Sequence, residues 1–164
     1  MENKYKVKEQ VWATKGKRFL NFIIDRIVVY AIVFGLSFLL GVILNVTGNY
    51  ELLDSIANMN GFIDSLITLT FYVTYFIVIE SKYQVSVGKL LTGSVIVDEY
   101  GEKPTTSSII KRSFSRLIPF DAFSFLGENS YGWHDSLSST YVVDKKLLEE
   151  KKILFDDLNK IGQE

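Results

Sequence analysis

The chain has 164 residues, a formal net charge of −1 at pH 7, one histidine and no cysteine. Its length suits one domain, and the nearly neutral charge gives no basis for nucleic-acid binding. The lack of cysteine excludes disulfides, a thiol nucleophile and cysteine-ligated zinc, while a single histidine excludes a multi-histidine metal site within one copy. The mean hydropathy of +0.17 is high for a soluble protein of this size.

The first predicted element is a basic segment, residues 1–17, which we expect on the cytoplasmic side. It is either a solvated tail or a short amphipathic helix on the lipid surface, where the ring of Trp12 suits an interfacial anchor. Charged residues continue to Arg18, and the apolar run after it is long and lacks a small-residue cleavage site. No secretory signal peptide is therefore indicated.

An apolar stretch follows at about residues 18–44, and it carries no charged side chain from residue 27 to residue 44. A helix rises about 1.5 Å per residue, so the uncharged part alone spans about 27 Å, close to the thickness of a hydrocarbon core. The stretch is apolar on all sides, without a stripe or an alternation. We therefore predict a first transmembrane helix.

A second apolar stretch is uncharged over residues 65–79, and its flanks extend it to a predicted helix at about residues 61–80. A buried helix of a soluble protein is the competing interpretation. The transmembrane interpretation is favoured because the rest of the chain is too small to bury two such helices.

The positions of the basic residues predict the orientation. Lysine and arginine are frequent before the first helix and after the second, whereas the connecting residues 45–61 contain neither. By the positive-inside rule, both termini face the cytoplasm and the connection faces outward. The sequence thus predicts a multi-pass membrane protein.

Shorter elements are predicted after the second helix. Residues 84–92 suit a short interfacial helix or turn, and residues 108–117 suit a helix with a serine or threonine cap. Residues 94–97, three of which are β-branched, predict a strand that could pair with residues 141–144 as a two-stranded ribbon.

Residues 117–126 are apolar but interrupted by Pro119 and Asp121, which favours an interfacial or re-entrant segment. A third, irregular span over residues 107–126 is the alternative. Residues 144–164 predict a charged, amphipathic cytoplasmic helix that is a solvated tail or, less simply, a docking element for a partner.

These elements together predict an all-α membrane protein. Its architecture is a two-helix transmembrane hairpin with cytoplasmic amphipathic or re-entrant helices and a minor two-stranded β-ribbon. The membrane domain is expected at residues 18–143.

Polar groups inside the first helix need an explanation. Arg18, Asn21 and Asp25 lie at i, i+3 and i+7, which places them on one helix face. A carboxylate at the centre of a membrane helix costs about 2.5–3.5 kcal/mol, so Asp25 should be paired and face protein. Arg18 could reach Asp25 through Asn21 or extend to the lipid headgroups. A structural lock, an ion or proton pathway and simple placement at an interface are all open for Asp25. The other candidate partners are Lys89, Arg112, Arg116 and His134.

His134 and Asp135 place an imidazole beside a carboxylate, as in some catalytic sites. Sequence neighbours do not normally face each other and only generic serines follow, so we expect a capping or hydrogen-bonding role. Gly88 and Lys89 lack the rest of a P-loop, which argues against nucleotide binding. The basic residues of segment 111–116 alternate with apolar ones, which suits anionic lipid better than DNA. The sequence predicts no catalytic residue, cofactor or metal site.

The order of these motifs resembles that of the RDD family of bacterial membrane proteins, named for one arginine and two aspartates. The resemblance covers about residues 13–143. Arg18 at the start of the first helix and Asp25 within it match the family's arginine and first aspartate. The resemblance implies a bacterial inner (plasma) membrane protein, from a family for which transport is suggested.

Two further segments carry the resemblance. Gly88 and Lys89, followed by the strand that ends at Asp98, look like the family's Gly-Lys segment. The Trp-His-Asp run at residues 133–135 looks like its C-terminal signature. The resemblance places the second family aspartate at Asp135, with Asp98 as the alternative.

We expect a small non-enzymatic inner-membrane protein that acts as an accessory or scaffold subunit of a larger membrane complex. Two helices cannot enclose a pathway alone, whereas their apolar surfaces offer binding faces. The expected partners are the lipid bilayer and another integral membrane protein or a second copy of the chain, and not nucleic acid. The alternative is ion or small-solute transport by an oligomer through Asp25 and Arg18.

Overall fold

The fold is given by a computed structural model that describes residues 4–127 and 130–161, apart from the side chains of residues 122 and 161. Most of these residues are helical, as predicted. The chain divides into two units. One comprises the residues up to Asp25 together with those from Phe76 onward, and the other is Arg26–Tyr75. The ends of the predicted terminal segments, residues 1–3 and 162–164, lie outside the described residues.

Three helices come first: α1 (Lys15–Val46), α2 (Tyr50–Ala57) and α3 (Gly61–Tyr83). Within the described residues, α1 and α3 are the two helices that are long and apolar enough to cross a membrane. The prediction of two long apolar helices is therefore confirmed. Both extend a few residues beyond the predicted bounds, because polar residues at their ends continue the helical hydrogen bonding.

The second unit contains α1 from Arg26 to its end, all of α2 and most of α3. Arg26 precedes the uncharged stretch, and its guanidinium lies 5.2 Å from the ring centroid of Tyr72 and 6.0 Å from that of Tyr30. Cation–π contacts of this kind accommodate a cation among aromatic side chains. Gly48, at φ +73°, lies in the turn between α1 and α2, in a conformation that favours glycine.

The first unit contains the short elements that follow α3. In chain order these are α4 (Val87–Thr92), β1 (Ser94–Val97), α5 (Thr106–Ser115), α6 (Asp121–Ser124), α7 (Trp133–Ser138), β2 (Tyr141–Asp144) and α8 (Lys145–Ile161). The strands pair antiparallel, with Val95 opposite Val143 and Ile96 opposite Val142. This pairing confirms the predicted two-stranded ribbon.

Residues 4–14 differ from both predictions, a solvated tail and a helix on lipid. The N–H of Ala13 donates to the carbonyl of Val142 at 2.9 Å, so this segment lies against β2. The ring of Trp12 stacks on that of Tyr131, with centroids 5.3 Å apart, instead of standing free as an interfacial anchor. The difference arises because apolar side chains of the segment complete a core with the ribbon.

Residues 107–126 form most of α5, a turn region and α6 rather than one continuous helix. The chain turns after Ser115 and again at Phe120, which has a φ of +67°. α5 itself packs inside the first unit through Ile109 and Arg112, both fully buried.

The predicted C-terminal helix is present as α8 and is docked on its own chain rather than solvated on all sides. Leu148 is buried in a cluster with Val97 and Val143. The edge of the Phe155 ring meets Tyr5, with centroids 5.7 Å apart.

Candidate functional site: a buried charge network

The predicted polar face of α1 is buried in the first unit. Arg18, Asn21 and Asp25 are 4%, 5% and 3% exposed, so the helical spacing placed them on one face correctly. They do not contact one another as expected. Arg18 pairs with α7, whereas Asn21 and Asp25 contact α4. Together with their partners they form a set of charged side chains that we call the charge network: Arg18, Asp25, Glu80, Lys89, Arg112, Arg116, Asp121, His134 and Asp135.

Asp135 lies in the first turn of α7 between two guanidinium groups. One carboxylate oxygen accepts a hydrogen bond from Arg18 and the other accepts one from Arg112. The N–H of Gly132 also donates to Asp135 Oδ2 at 2.8 Å, which caps the start of α7. Burial alone would raise the pKa of the Asp135 carboxyl, but Arg112 and then Arg18 outweigh burial and hold the pKa well below its usual range.

Glu80, near the end of α3, is fully buried and joins α3 to α4 and α5. Its Oε1 accepts hydrogen bonds from Lys89 at 2.9 Å and from Arg116 at 2.8 Å. Its Oε2 lies 3.5 Å from Arg112 Nε. Burial lowers the pKa of the Lys89 ammonium, and the charge of Glu80 acts against that shift.

Asp25 binds the start of α4. Its Oδ1 accepts the N–H of Gly88 at 2.7 Å, and its Oδ2 accepts the hydroxyl of Ser86 at 2.5 Å. Lys89 Nζ is 3.9 Å from the same carboxylate. The first N–H groups of a helix have no hydrogen-bond partner within the helix and favour an anion. The Asp25 carboxylate therefore accepts a hydrogen bond from the start of α4, and that bond in turn stabilises the buried carboxylate.

Gly88 permits this contact because its backbone meets that of α1. A Cβ at this position would lie 2.6 Å from the carbonyl oxygen of Asn21, nearer than real side chains approach. The Asn21 amide nitrogen donates to the Gly88 carbonyl at 2.9 Å and to the Thr92 hydroxyl at 2.6 Å. The Gly-Lys segment is therefore a packing surface for α1.

His134 connects α6 to α1. Its Nε2 lies 3.1 Å from an Arg18 nitrogen, which can only donate, so Nε2 accepts and Nδ1–H donates to Asp121 Oδ2 at 2.6 Å. The His134 backbone N–H also donates to Asp121 Oδ1 at 3.0 Å. Burial lowers the pKa of His134 to about 4, so the imidazole is neutral at pH 7. Its Nε2 is 3.6 Å from Asp135 Oδ1, too far for a hydrogen bond.

The charges of the network balance within the chain. With His134 neutral, each cation has an anion in contact. The cations Arg18, Lys89, Arg112 and Arg116 contact the anions Asp25, Glu80 and Asp135. The fourth acid, Asp121, contacts the neutral His134. Buried pairs of this kind stabilise little in net terms, but removing one partner leaves an uncompensated buried charge and is costly.

The structure brings together all but one of the residues predicted from sequence. Asp98 instead closes the turn after β1, where its side chain accepts the N–H groups of Tyr100 at 2.9 Å and Glu102 at 2.8 Å. Sequence reasoning did not include Glu80 or Asp121 in the cluster. The sequence held a signal for each of them: Glu80 ends an apolar helix, and Asp121 interrupts an apolar run.

Across residues 4–127 and 130–161, no three side chains of metal-binding type come together in a way that could hold a metal ion. The contacts of the charge network are thus between the chain's own cations and anions.

Two candidate membrane-spanning helices joined to a small helical layer with a two-stranded ribbon indicate an α-helical membrane protein. The chain belongs to the RDD family, whose family model matches residues 12–143. This match runs from before α1 to Val143 in β2 and includes the whole charge network. No curated protein and no solved structure matches the chain.

Proposed function

We propose that this protein is a small non-enzymatic accessory or scaffold subunit of a larger membrane complex. The observation that carries the proposal is the pairing of cations and anions in the charge network, which joins the elements of the first unit to one another. What stays available for function is apolar helix surface. Phe34 and Phe38 on α1 and Phe62 on α3 are exposed, and such side chains suit packing against other membrane helices.

The contacts of His134 support a non-enzymatic role. Both ring nitrogens are engaged, one with Asp121 and the other with Arg18. An imidazole that activates a nucleophile needs a free nitrogen within hydrogen-bond reach of it. The hydroxyl of Ser138, the serine one turn later in α7, donates to the His134 carbonyl at 2.6 Å.

We further propose an inner-membrane location with both termini in the cytoplasm and residues 45–61 outside. The support is the basic residues on both flanks of the two helices and the absence of lysine and arginine between them. Because the chain has no cysteine, single cysteines can report on the topology. In intact cells, a membrane-impermeant maleimide should label Asn58→Cys and not Lys4→Cys, and the reverse pattern would refute the orientation.

The subunit role is tested with a photocrosslinking amino acid in cells that make the protein at native level. Introduced at Phe38, which is exposed, it should give a discrete adduct with one membrane protein; at Val29, which is buried, it should give none. Gentle extraction should then recover the same protein at fixed stoichiometry. Recovery of the chain alone, without a protein adduct at Phe38, would refute the proposal.

Transport through an oligomer is the second candidate, and one observation favours it. Asp25 lies inside a candidate membrane helix and is connected through Lys89 and Glu80 to Arg112, which forms a continuous series of ionisable groups. Proteoliposomes that contain the protein should then show ion flux, and Asp25→Asn should abolish it. Asp64→Asn, in the exposed first turn of α3, should preserve the flux and serves as the control. Flux that survives Asp25→Asn would refute this assignment.

A further inference from the structure

Three short helices of the first unit have a reversed amphipathic pattern, with polar side chains buried and apolar side chains exposed. In α7, His134 and Asp135 are buried, while Trp133 and Leu137, one turn apart, are exposed. In a water-soluble protein, the apolar side of a helix faces the core and the polar side faces solvent. Here a hydrophilic interior, the charge network, is covered by a hydrophobic exterior.

The same reversal recurs in α4 and in part of α5, whose Ile109 is buried in an apolar cluster. The buried polar side chains are Lys89 in α4 and Arg112 and Ser113 in α5. The exposed side chains are Leu90 and Leu91 in α4, at 68% and 69%, and Ile110 and Phe114 in α5. Exposed apolar side chains grouped on one side of a helix mark a contact with another apolar phase.

The attachment points of these helices give their level along α1. α4 packs on α1 at Asn21 and Asp25, and α7 is joined to it by the pair between Arg18 and Asp135. These contacts lie in the early turns of α1. Asp25 precedes the start of the uncharged stretch at Ile27 by two residues, or about 3 Å along the helix axis. The attachment points of α4 and α7 therefore lie in the turns of α1 that precede its uncharged stretch.

We infer that α4, α5 and α7 form an interfacial collar that lies in the boundary between the lipid headgroups and the acyl chains. The collar is defined by Leu90, Leu91, Ile110, Phe114, Trp133 and Leu137. We assign the bilayer as the partner of the collar for three reasons. α4 follows the apolar helix α3 directly, and the exposed residues of the collar include Trp and Phe. The exposed Lys111 beside Ile110 can also extend to anionic headgroups. This inference holds for a subunit and for a transporter.

The two tryptophans provide the test, since one lies on the collar and the other does not. Trp133 is 49% exposed on α7, whereas Trp12 stacks on Tyr131. Trp12→Phe leaves Trp133 as the single reporter, and Trp133→Phe leaves Trp12. Each full-length variant is reconstituted in phosphatidylcholine vesicles with either ordinary acyl chains or acyl chains brominated near the carbonyl end.

The brominated lipid should remove most of the Trp133 emission and little of the Trp12 emission. Aqueous iodide should quench Trp133 only weakly. A Trp133 that iodide quenches and brominated lipid does not would overturn the collar, and so would equal quenching of both tryptophans by the brominated lipid.

A second reporter tests another helix of the collar. Leu91→Trp, in a protein that also carries Trp12→Phe and Trp133→Phe, should be quenched by brominated lipid as strongly as Trp133. A Leu91 reporter that is quenched by iodide alone would limit lipid contact to α7 and refute the collar. Each variant is accepted only if its thermal unfolding midpoint in the same vesicles equals that of the wild type.

Discussion

Arg18, in the first turn of α1, forms a buried ion pair with Asp135 in α7, 117 residues later in the sequence. Arg112 of α5 binds the second oxygen of the same carboxylate. This arrangement ties a candidate membrane helix to the C-terminal half of the first unit. Of the two aspartates considered for the second family position, Asp135 contacts the family arginine, and Asp98 lies in a turn.

We predict that Asp135→Asn lowers the free energy of unfolding by about 3–5 kcal/mol, because it leaves the buried Arg18 without its anion and Arg112 with Glu80 alone. The matched variant is Asp98→Asn, which keeps an oxygen to accept the two backbone N–H groups of its turn and should cost less than about 1 kcal/mol. Unfolding in detergent micelles, followed by circular dichroism, compares the two. Equal losses of unfolding free energy in the two variants would contradict the role of Asp135 as a shared anion.

Gly88→Ala should destabilise the protein by about 1–3 kcal/mol, because the new methyl group would clash with the Asn21 backbone and separate α4 from α1. Gly16→Ala is the control, since a Cβ there meets nothing within 4 Å. It should be neutral or stabilise α1 by up to about 1 kcal/mol. The thermal unfolding midpoint measures both, and a Gly88→Ala midpoint at or above that of the wild type would contradict the observed packing.

Protonation of His134 predicts a specific pH dependence. Its pKa is lowered to about 4 by burial, whereas an unfolded histidine titrates near its ordinary value. Between these values the unfolded chain binds a proton that the folded chain does not, so stability is complete above about pH 6.5 and falls as the pH drops. The loss should reach about 2 kcal/mol at pH 5.

His134→Gln should remove this slope although it lowers stability at every pH. Unfolding is measured between pH 7 and pH 5, a window above the range where most carboxylates titrate. A variant that keeps the full slope would show that another group is responsible.

Glu80→Gln should destabilise the first unit by about 3–5 kcal/mol, because three buried cations lose their shared anion. Glu102→Gln is the control. Its pair with Lys152 is exposed and is worth about 0–1 kcal/mol.

A double variant separates charge balance from shape at Glu80. Arg116→Gln, added to Glu80→Gln, removes one of the cations whose charge Glu80 balanced and should recover part of the lost stability. If the double variant loses the full sum of the two single effects, the charge-balance interpretation fails.

Local pattern alone determined the two long apolar helices, the ribbon strands and the common face of Arg18, Asn21 and Asp25. Each of these depends on hydropathy or spacing within one segment, so no knowledge of distant residues is required. The tertiary structure decided which cation meets which carboxylate. It paired Arg18 with Asp135 instead of Asp25 and made Glu80 a shared anion. Coulomb attraction depends on the distance between two charges in space and not on their separation in the sequence. Several cations could therefore pair with each acid. The packing of α4, α5 and α7 on α1 selects the pairs that form.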